Sequence, residues 1–382
     1  MVSSGPMERA LVTGGAGLIG SHVVDLLLTE GYGVRVLDNL EPTTHPEGRP
    51  SWVPSDVEFV QGDMRNAEDV ERALQGVDVI FHEAAYGGFA PELTKMTDVN
   101  ATGIARLFEA IRTGNLPIRK IVTASSQAVY GEGAYVCEEH GPVYPPPRSI
   151  EQLERSEWEV RCPICGEPTR GLPIAEEAPL KLNAVYALSK YFEERLTLAL
   201  GREWELPAVA LRYSLTYGPR QSVFNPYSGI CSIFSTRLLN DLPPILYEDG
   251  HQERDFVFVE DVARANLFVL NDERADYEVF NVGTGRGTQV LDFARMLRDA
   301  YGVDVEPETP GAFRPVDFRH LVADASRLRD LGWKPTVEVE EGVRRYVDWI
   351  MAMPKPREYF SKAEQTLKGM GIVRQARERS DA

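Results

Sequence analysis

Tyr186 and Lys190 stand four residues apart in the segment Val-Tyr-Ala-Leu-Ser-Lys. The segment reads as helical, so the phenol and the ammonium leave one face a turn apart. An ammonium beside a phenol favours the phenolate. A phenol placed in this way can take a proton from a sugar hydroxyl near neutral pH. A Tyr-x-x-x-Lys pair alone also describes many surface helices. Here two further features precede it, a glycine-rich opening and a serine-rich strand end.

The opening is Arg9-Ala-Leu-Val-Thr13, a short apolar run with the character of a buried parallel strand. It leads into Gly14-Gly-Ala-Gly17-Leu-Ile-Gly20 and then a helical pattern through Val23, Val24, Leu26, Leu27 and Leu28. Such glycines allow a tight turn, close approach of backbone to a pyrophosphate, and close packing of helix on strand. The helix N-terminus then offers free N–H groups to phosphate. A second strand, Gly33–Leu37, ends at Asp38, whose carboxylate can accept hydrogen bonds from adenosine ribose hydroxyls and would repel a 2′-phosphate. NAD rather than NADP is the expected cofactor.

These residues need a scaffold, and the rest of the chain supplies a repeating one. Strands are expected at 57–61, 77–81, 120–124 and 208–212, with helical stretches through Val70 and Leu74, from Asn100 to Ile111, and from Tyr186 onward. The alternation predicts an α/β fold, a Rossmann-type doubly wound parallel sheet, followed by a smaller mixed α/β substrate lobe. Ligands bind such sheets outside the carboxyl ends of the strands, where Gly14, Asp38, Asp63, Ala84 and Ser126 all fall. The expected division is a dinucleotide-binding domain over 1–212, interrupted by a cysteine-containing insertion at 132–176. A substrate lobe over 213–352 follows, part of it returning to the first domain, and then a loosely packed tail over 353–382. Arg220, Arg254 and Arg314 are candidates to clamp a diphosphate, because guanidinium matches phosphate bidentately.

The 382 residues can bury a large core, and their 41 basic and 58 acidic side chains give a formal charge of −17. That charge argues against a general nucleic-acid or anionic-membrane binder. No apolar run is long enough to span a bilayer, and the first residues carry no apolar leader core, so a cytoplasmic enzyme is expected.

As a set, these motifs resemble the extended short-chain dehydrogenase/reductase family, and within it the NAD-dependent nucleotide-sugar epimerases and dehydratases. The likeness runs from about Ala10 to about Trp349. It rests on Thr13–Gly20, Asp38-Asn39, Gly62–Met64, Ala124–Gly131, Tyr186–Lys190, Leu211–Tyr213 and Arg254–Val257. The resemblance implies that Tyr186 is the base, that Lys190 binds the nicotinamide ribose, and that Ser126 holds the sugar O4. It implies further cofactor contacts from Gly14, Gly17, Leu18, Ile19, Gly20, Asn39, Asp63, Met64, Ala84, Ala85, Asn100 and Tyr213. Substrate contacts are implied for Ser125, Gln127, Arg220, Asn225, Arg254 and Arg314, and a homodimer through two helices around 100–112 and 186–200. Family dehydratases place Asp-Glu after the catalytic hydroxyl residue, and decarboxylases of UDP-glucuronate usually carry Glu at the second of those positions. Here Gln127 and Ala128 stand there, which favours 4-epimerisation over dehydration or decarboxylation. The family's usual Asn after Arg-Tyr-Phe is Leu215 in this chain, so one polar contact to substrate is missing.

The insertion carries Cys137-Glu-Glu-His140-Gly and Cys162-Pro-Ile-Cys165-Gly. Two such pairs suit a closed tetrahedral Zn²⁺ site, structural in kind. Reduced cysteines or a Cys162–Cys165 redox pair are the alternatives. A similar insertion marks epimerases that resemble dTDP-L-rhamnose 4-epimerase, which makes a dTDP-sugar the first expected substrate and a UDP-sugar the next.

Overall fold

The computed structural model describes residues 7–87 and 90–377. The first six residues, read above for a leader, and the last five of the tail lie outside the described residues. Strands β1 (Arg9–Thr13), β2 (Gly33–Asp38), β3 (Glu58–Gln61), β4 (Val79–His82) and β5 (Lys120–Ser126) form one sheet with Ala208–Tyr213 and Val279–Val282. All its pairings are parallel, in the order Val279–Val282, Ala208–Tyr213, β5, β4, β1, β2, β3. Strand order reverses at β1, which lies between β2 and β4, so a crevice opens at its carboxyl end.

The sheet is apolar on both faces because helices cover both. Helix α1 (Leu18–Thr29) packs Val23, Val24 and Leu27 with the helix Val259–Leu270 on one face. Helix α2 (Ala67–Leu74) and the helix Gly103–Thr113 bury Val70, Leu107 and Phe108 on the other. Asn66 caps α2, its side-chain oxygen accepting from the amide of Glu68 at 2.9 Å.

Beyond Tyr213 the chain builds a second core around Tyr217, Phe256, Phe258 and Phe293, the rings of Phe256 and Phe293 stacked at 3.9 Å. Strand Val279–Val282 then returns to the main sheet. The insertion forms a three-stranded antiparallel ribbon from Ala134–Cys137, Gly141–Val143 and Arg170–Leu172.

The tail is packed, contrary to the expectation of a loose one. Helix Phe360–Gly369 buries Phe360, Ala363 and Leu367, and Arg374–Gln375 pairs antiparallel with Ala312–Phe313. Leu367 and Val373 join Ala312, with Tyr227 and Tyr247 against them. A few apolar residues suffice because the partner strand lies more than fifty positions upstream, where no local pattern reveals it.

Candidate active site

The turn after β1 shows why glycine is needed there. Gly14 has φ +68°, and a Cβ on it would sit 2.8 Å from Ala84 backbone. A Cβ on Gly20 would lie 2.3 Å from the Gly14 carbonyl. The result is a cleft of about 300 Å³ over the carboxyl ends of β1, β2 and β4. Gly14, Gly17, Leu18, Ile19, Gly20, Asp38, Asn39, Asp63, Met64, Ala84, Ala85 and Asn225 all line it.

The acids of the cleft are held in place. Asp38 accepts from the backbone N–H groups of Ala16 at 3.0 Å and Leu40 at 2.8 Å. Burial still pushes its pKa up from the ordinary carboxylate value. Asp63 accepts from Asn39 and Arg65 at 3.0 and 2.8 Å. Burial works against its charge, but these donors outweigh it and hold the carboxyl well below the usual range. The glycine-rich cradle, the open N-terminus of α1 and an acid at the end of β2 fit a dinucleotide with a free ribose.

Tyr186 and Lys190 lie on the first turns of the helix Val185–Glu203. A Cβ on Gly87 would come within 2.7 Å of Cε2 of Tyr186, so the loop after β4 passes close to the ring. Lys190 is buried and its Nζ donates to Glu193 Oε2 at 2.6 Å. Burial works against the ammonium; Glu193 and Tyr186 outweigh it, and its pKa stands above the ordinary lysine value. Ser126 ends β5, its Oγ accepting from the Ala128 amide at 3.2 Å.

Several expected contacts fall elsewhere. Ser125 points the other way from Ser126, as strand alternation requires, and donates to Glu194 inside the protein at 2.7 Å. Asn100 lies in a π-helical turn, Asp98–Thr102, and its amide is committed to Tyr86 backbone and the Ser189 hydroxyl. It fixes the loop and the Tyr186 helix and does not face the cleft. Tyr213 donates to Glu83 at 2.8 Å and sits behind the cleft wall. Arg220 donates to the Ser21 carbonyl at 3.1 Å and Asp25 at 2.6 Å, which ties it to the side of α1. Arg254 and Arg314 do converge. Both grip the carboxylate of Asp317, at 3.0 and 2.7 Å. Gln127 is buried with its Oε1 unpartnered.

Three acids with no motif around them are also part of the site. Glu83 lines the cleft, Glu193 holds Lys190, and Glu41 pairs with Lys95 at 2.7 Å on the cleft wall. Burial raises the pKa of both Glu83 and Glu193 to about 7, against the pull of Tyr213 on the first and Lys190 on the second. A raised carboxyl contributes stability that is fully present below the ordinary carboxylate range and is lost as pH rises through about 7. Glu83→Gln should therefore raise the thermal midpoint relative to wild type at about pH 8 and leave it nearly unchanged at about pH 4. An equal shift at both values would contradict the assignment.

In the insertion, Cys137 Sγ lies 3.6 Å from His140 Nδ1 and from Cys165 Sγ, and Cys162 Sγ lies 3.7 Å from His140 Nδ1. All four ligand atoms fall within 4.8 Å of one another. Bonds of about 2.3 Å to sulfur and about 2.0–2.1 Å to nitrogen give tetrahedral edges near these values. The cluster can hold a metal ion.

A family model described as the NAD dependent epimerase/dehydratase family matches residues 10–150 and 162–283. The chain belongs to that family. It is 36% identical over 351 residues to a dTDP-L-rhamnose 4-epimerase of Burkholderia thailandensis, covering 90% of this chain and 95% of the relative. It is 33% identical over 347 residues to a putative UDP-glucose 4-epimerase of Methanocaldococcus jannaschii, covering 89% and 97%. Among solved structures, a Thermus thermophilus UDP-glucose 4-epimerase in complex with NAD superposes with a TM-score of 0.70 at 32% identity, over 91% of this chain and 100% of that one. A Thermotoga maritima UDP-glucose 4-epimerase with UDP-glucose gives 0.73 at 30% identity, over 90% and 99%. With its epimerase relatives, this family member is an enzyme of the isomerase kind.

Proposed function

We propose that the chain is an NAD-dependent nucleotide-sugar 4-epimerase acting on a dTDP- or UDP-sugar. The observation that carries this reading is the pair after Ser126. Gln127 is a buried amide and Ala128 a methyl, so neither supplies the second acid–base group that loss of water or CO₂ would need. Gly14, Gly17, Gly20 and Asp38 would hold NAD, which would supply a reversible hydride acceptor for C4 of the sugar, so that net redox change is zero. The chain's own residues supply the rest. Ser126 holds O4, and Tyr186 removes the O4 proton and later gives it back. Lys190 supplies positive charge beside the phenol and a donor to the nicotinamide ribose. Arg254 and Arg314, organised by Asp317, hold the diphosphate while the 4-keto sugar turns over its face.

A dehydratase or decarboxylase on the same scaffold is the competing assignment. Incubation with UDP-, dTDP-, GDP- and CDP-sugars, read by mass spectrometry and NMR, separates them. Unchanged mass with an inverted C4 proton coupling is expected for a dTDP- or UDP-sugar. Loss of water or CO₂ would move the chain to the lyases.

The Cys137, His140, Cys162 and Cys165 cluster is read as a structural Zn²⁺ site, supported by its donor set and spacing. Val185, Leu188 and Phe192 leave an apolar stripe on the Tyr186 helix, 36%, 50% and 47% exposed. The stripe supports a homodimer through that helix. Among the described residues no helix is long and apolar enough to cross a membrane; the cytoplasm is the location that suits a sugar-nucleotide enzyme.

A further inference from the structure

We propose that the metal-clipped insertion is a positioning device for the diphosphate arginines, so that losing the metal weakens nucleotide-sugar binding at a distance. The inference rests on the sugar-nucleotide reading above. Its basis is a set of hydrogen bonds between the insertion and residues 317–320, the segment that carries Asp317.

Arg148, within the insertion and buried, donates to the backbone carbonyl of Asp317 at 3.1 Å and to Glu248 at 2.9 Å. Glu132 accepts from the Arg319 amide at 2.7 Å. The Tyr135 hydroxyl, two residues before the ligand Cys137, accepts from the His320 amide at 3.1 Å. Glu159, three residues before Cys162, accepts from the Arg319 guanidinium at 3.0 Å. Both arms of the cysteine cluster therefore hold the same short segment. That segment in turn fixes the clamp. Arg254 donates to the carbonyls of Phe318 at 2.7 Å and Arg319 at 3.2 Å, and shares the Asp317 carboxylate with Arg314.

The apolar core at the four ligands is small, while Ala134 and Leu172 pack in a separate cluster with Leu321, and Leu153 and Trp158 with Phe313. The core at the ligands is Tyr135, Cys137, Val143, Val160 and Cys162, so two of five members are ligands. A metal that closes the loop between Cys137 and Cys165 reinforces the small core at the ligands and restrains Tyr135 and Glu159 together. Small displacements of Asp317 then pass to two guanidinium groups whose fit to phosphate is intolerant of them.

The test compares wild type with a Cys162→Ser/Cys165→Ser chain and with Arg148→Lys. UDP and dTDP are titrated calorimetrically, zinc is measured by elemental analysis, and bound NAD and thermal midpoint are recorded for each. The double variant is expected to lose zinc, keep NAD, and bind the nucleoside diphosphate about tenfold or more weakly. In turnover, KM should rise far more than kcat falls. Arg148→Lys should keep zinc and NAD yet show the same direction of loss. A zinc-free chain that binds UDP and dTDP as wild type does would overturn the proposal, as would a wild type that takes up no zinc. If the double variant does not fold, Arg148→Lys decides, and unaltered affinity there is the contrary result. Wild type that binds neither diphosphate would overturn the sugar-nucleotide reading together with this inference.

Discussion

Tyr186→Phe should fold, hold its dinucleotide, and turn over about 10²–10⁴-fold more slowly than wild type. The substitution removes one oxygen and leaves the ring beside Gly87, whose lack of a Cβ gives the ring its room. Nothing in the glycine cradle or in Asp38 depends on that oxygen, so NAD content should stay at the wild-type value. The loss should fall in kcat more than in KM, because proton transfer is an interaction of the transition state. Ser126→Ala should cost less, since it removes a hydrogen bond to O4 and keeps the base. A Tyr186→Phe chain with wild-type turnover would remove the phenol from the mechanism altogether.

Glu194→Ala should lower stability by about 3–5 kcal/mol. Glu194 and Arg212 form a bidentate pair at 2.9 and 2.7 Å, with side chains 1% and 4% exposed. The pair joins the Tyr186 helix to the strand Ala208–Tyr213 and also takes the hydroxyl hydrogen of Ser125. Cutting it back to alanine leaves the Arg212 guanidinium buried without its counter-charge. Tyr130 and the Glu176 carbonyl, the remaining partners of Arg212, are neutral and cannot replace it. The urea midpoint reads the effect, with an unchanged slope if the denatured state is unaltered. A loss below about 1 kcal/mol would mean that water reaches the site and screens the charge.

The parallel sheet and the cradle were legible because their signals are local. Arg9–Thr13, the glycines after it and Asp38 are read within thirty residues of chain, and their conformations follow from backbone sterics and strand ends. The Tyr186–Lys190 pair was equally plain, since helical spacing alone puts both groups on one face. The commitments of polar side chains were not legible. Ser125 and Ser126 are neighbours of one type, yet one is spent on Glu194 and the other ends the strand facing the opposite side. Arg220 reads like Arg254 in sequence, but only Arg254 finds Asp317, more than sixty residues away. Glu83 and Glu193 sit in no motif; their burial depends on β4, β5 and the Tyr186 helix meeting in space. The tail was misread for the same reason, as its strand partner lies at Ala312–Phe313.

The central claim is that one hydride leaves C4 and comes back to it while Tyr186 handles the O4 proton. A dTDP- or UDP-sugar carrying deuterium at C4 tests it directly. The account predicts a product of unchanged mass, inverted at C4, with the deuterium still on C4. Deuterium lost to solvent, or a product lighter by water or CO₂, would contradict it.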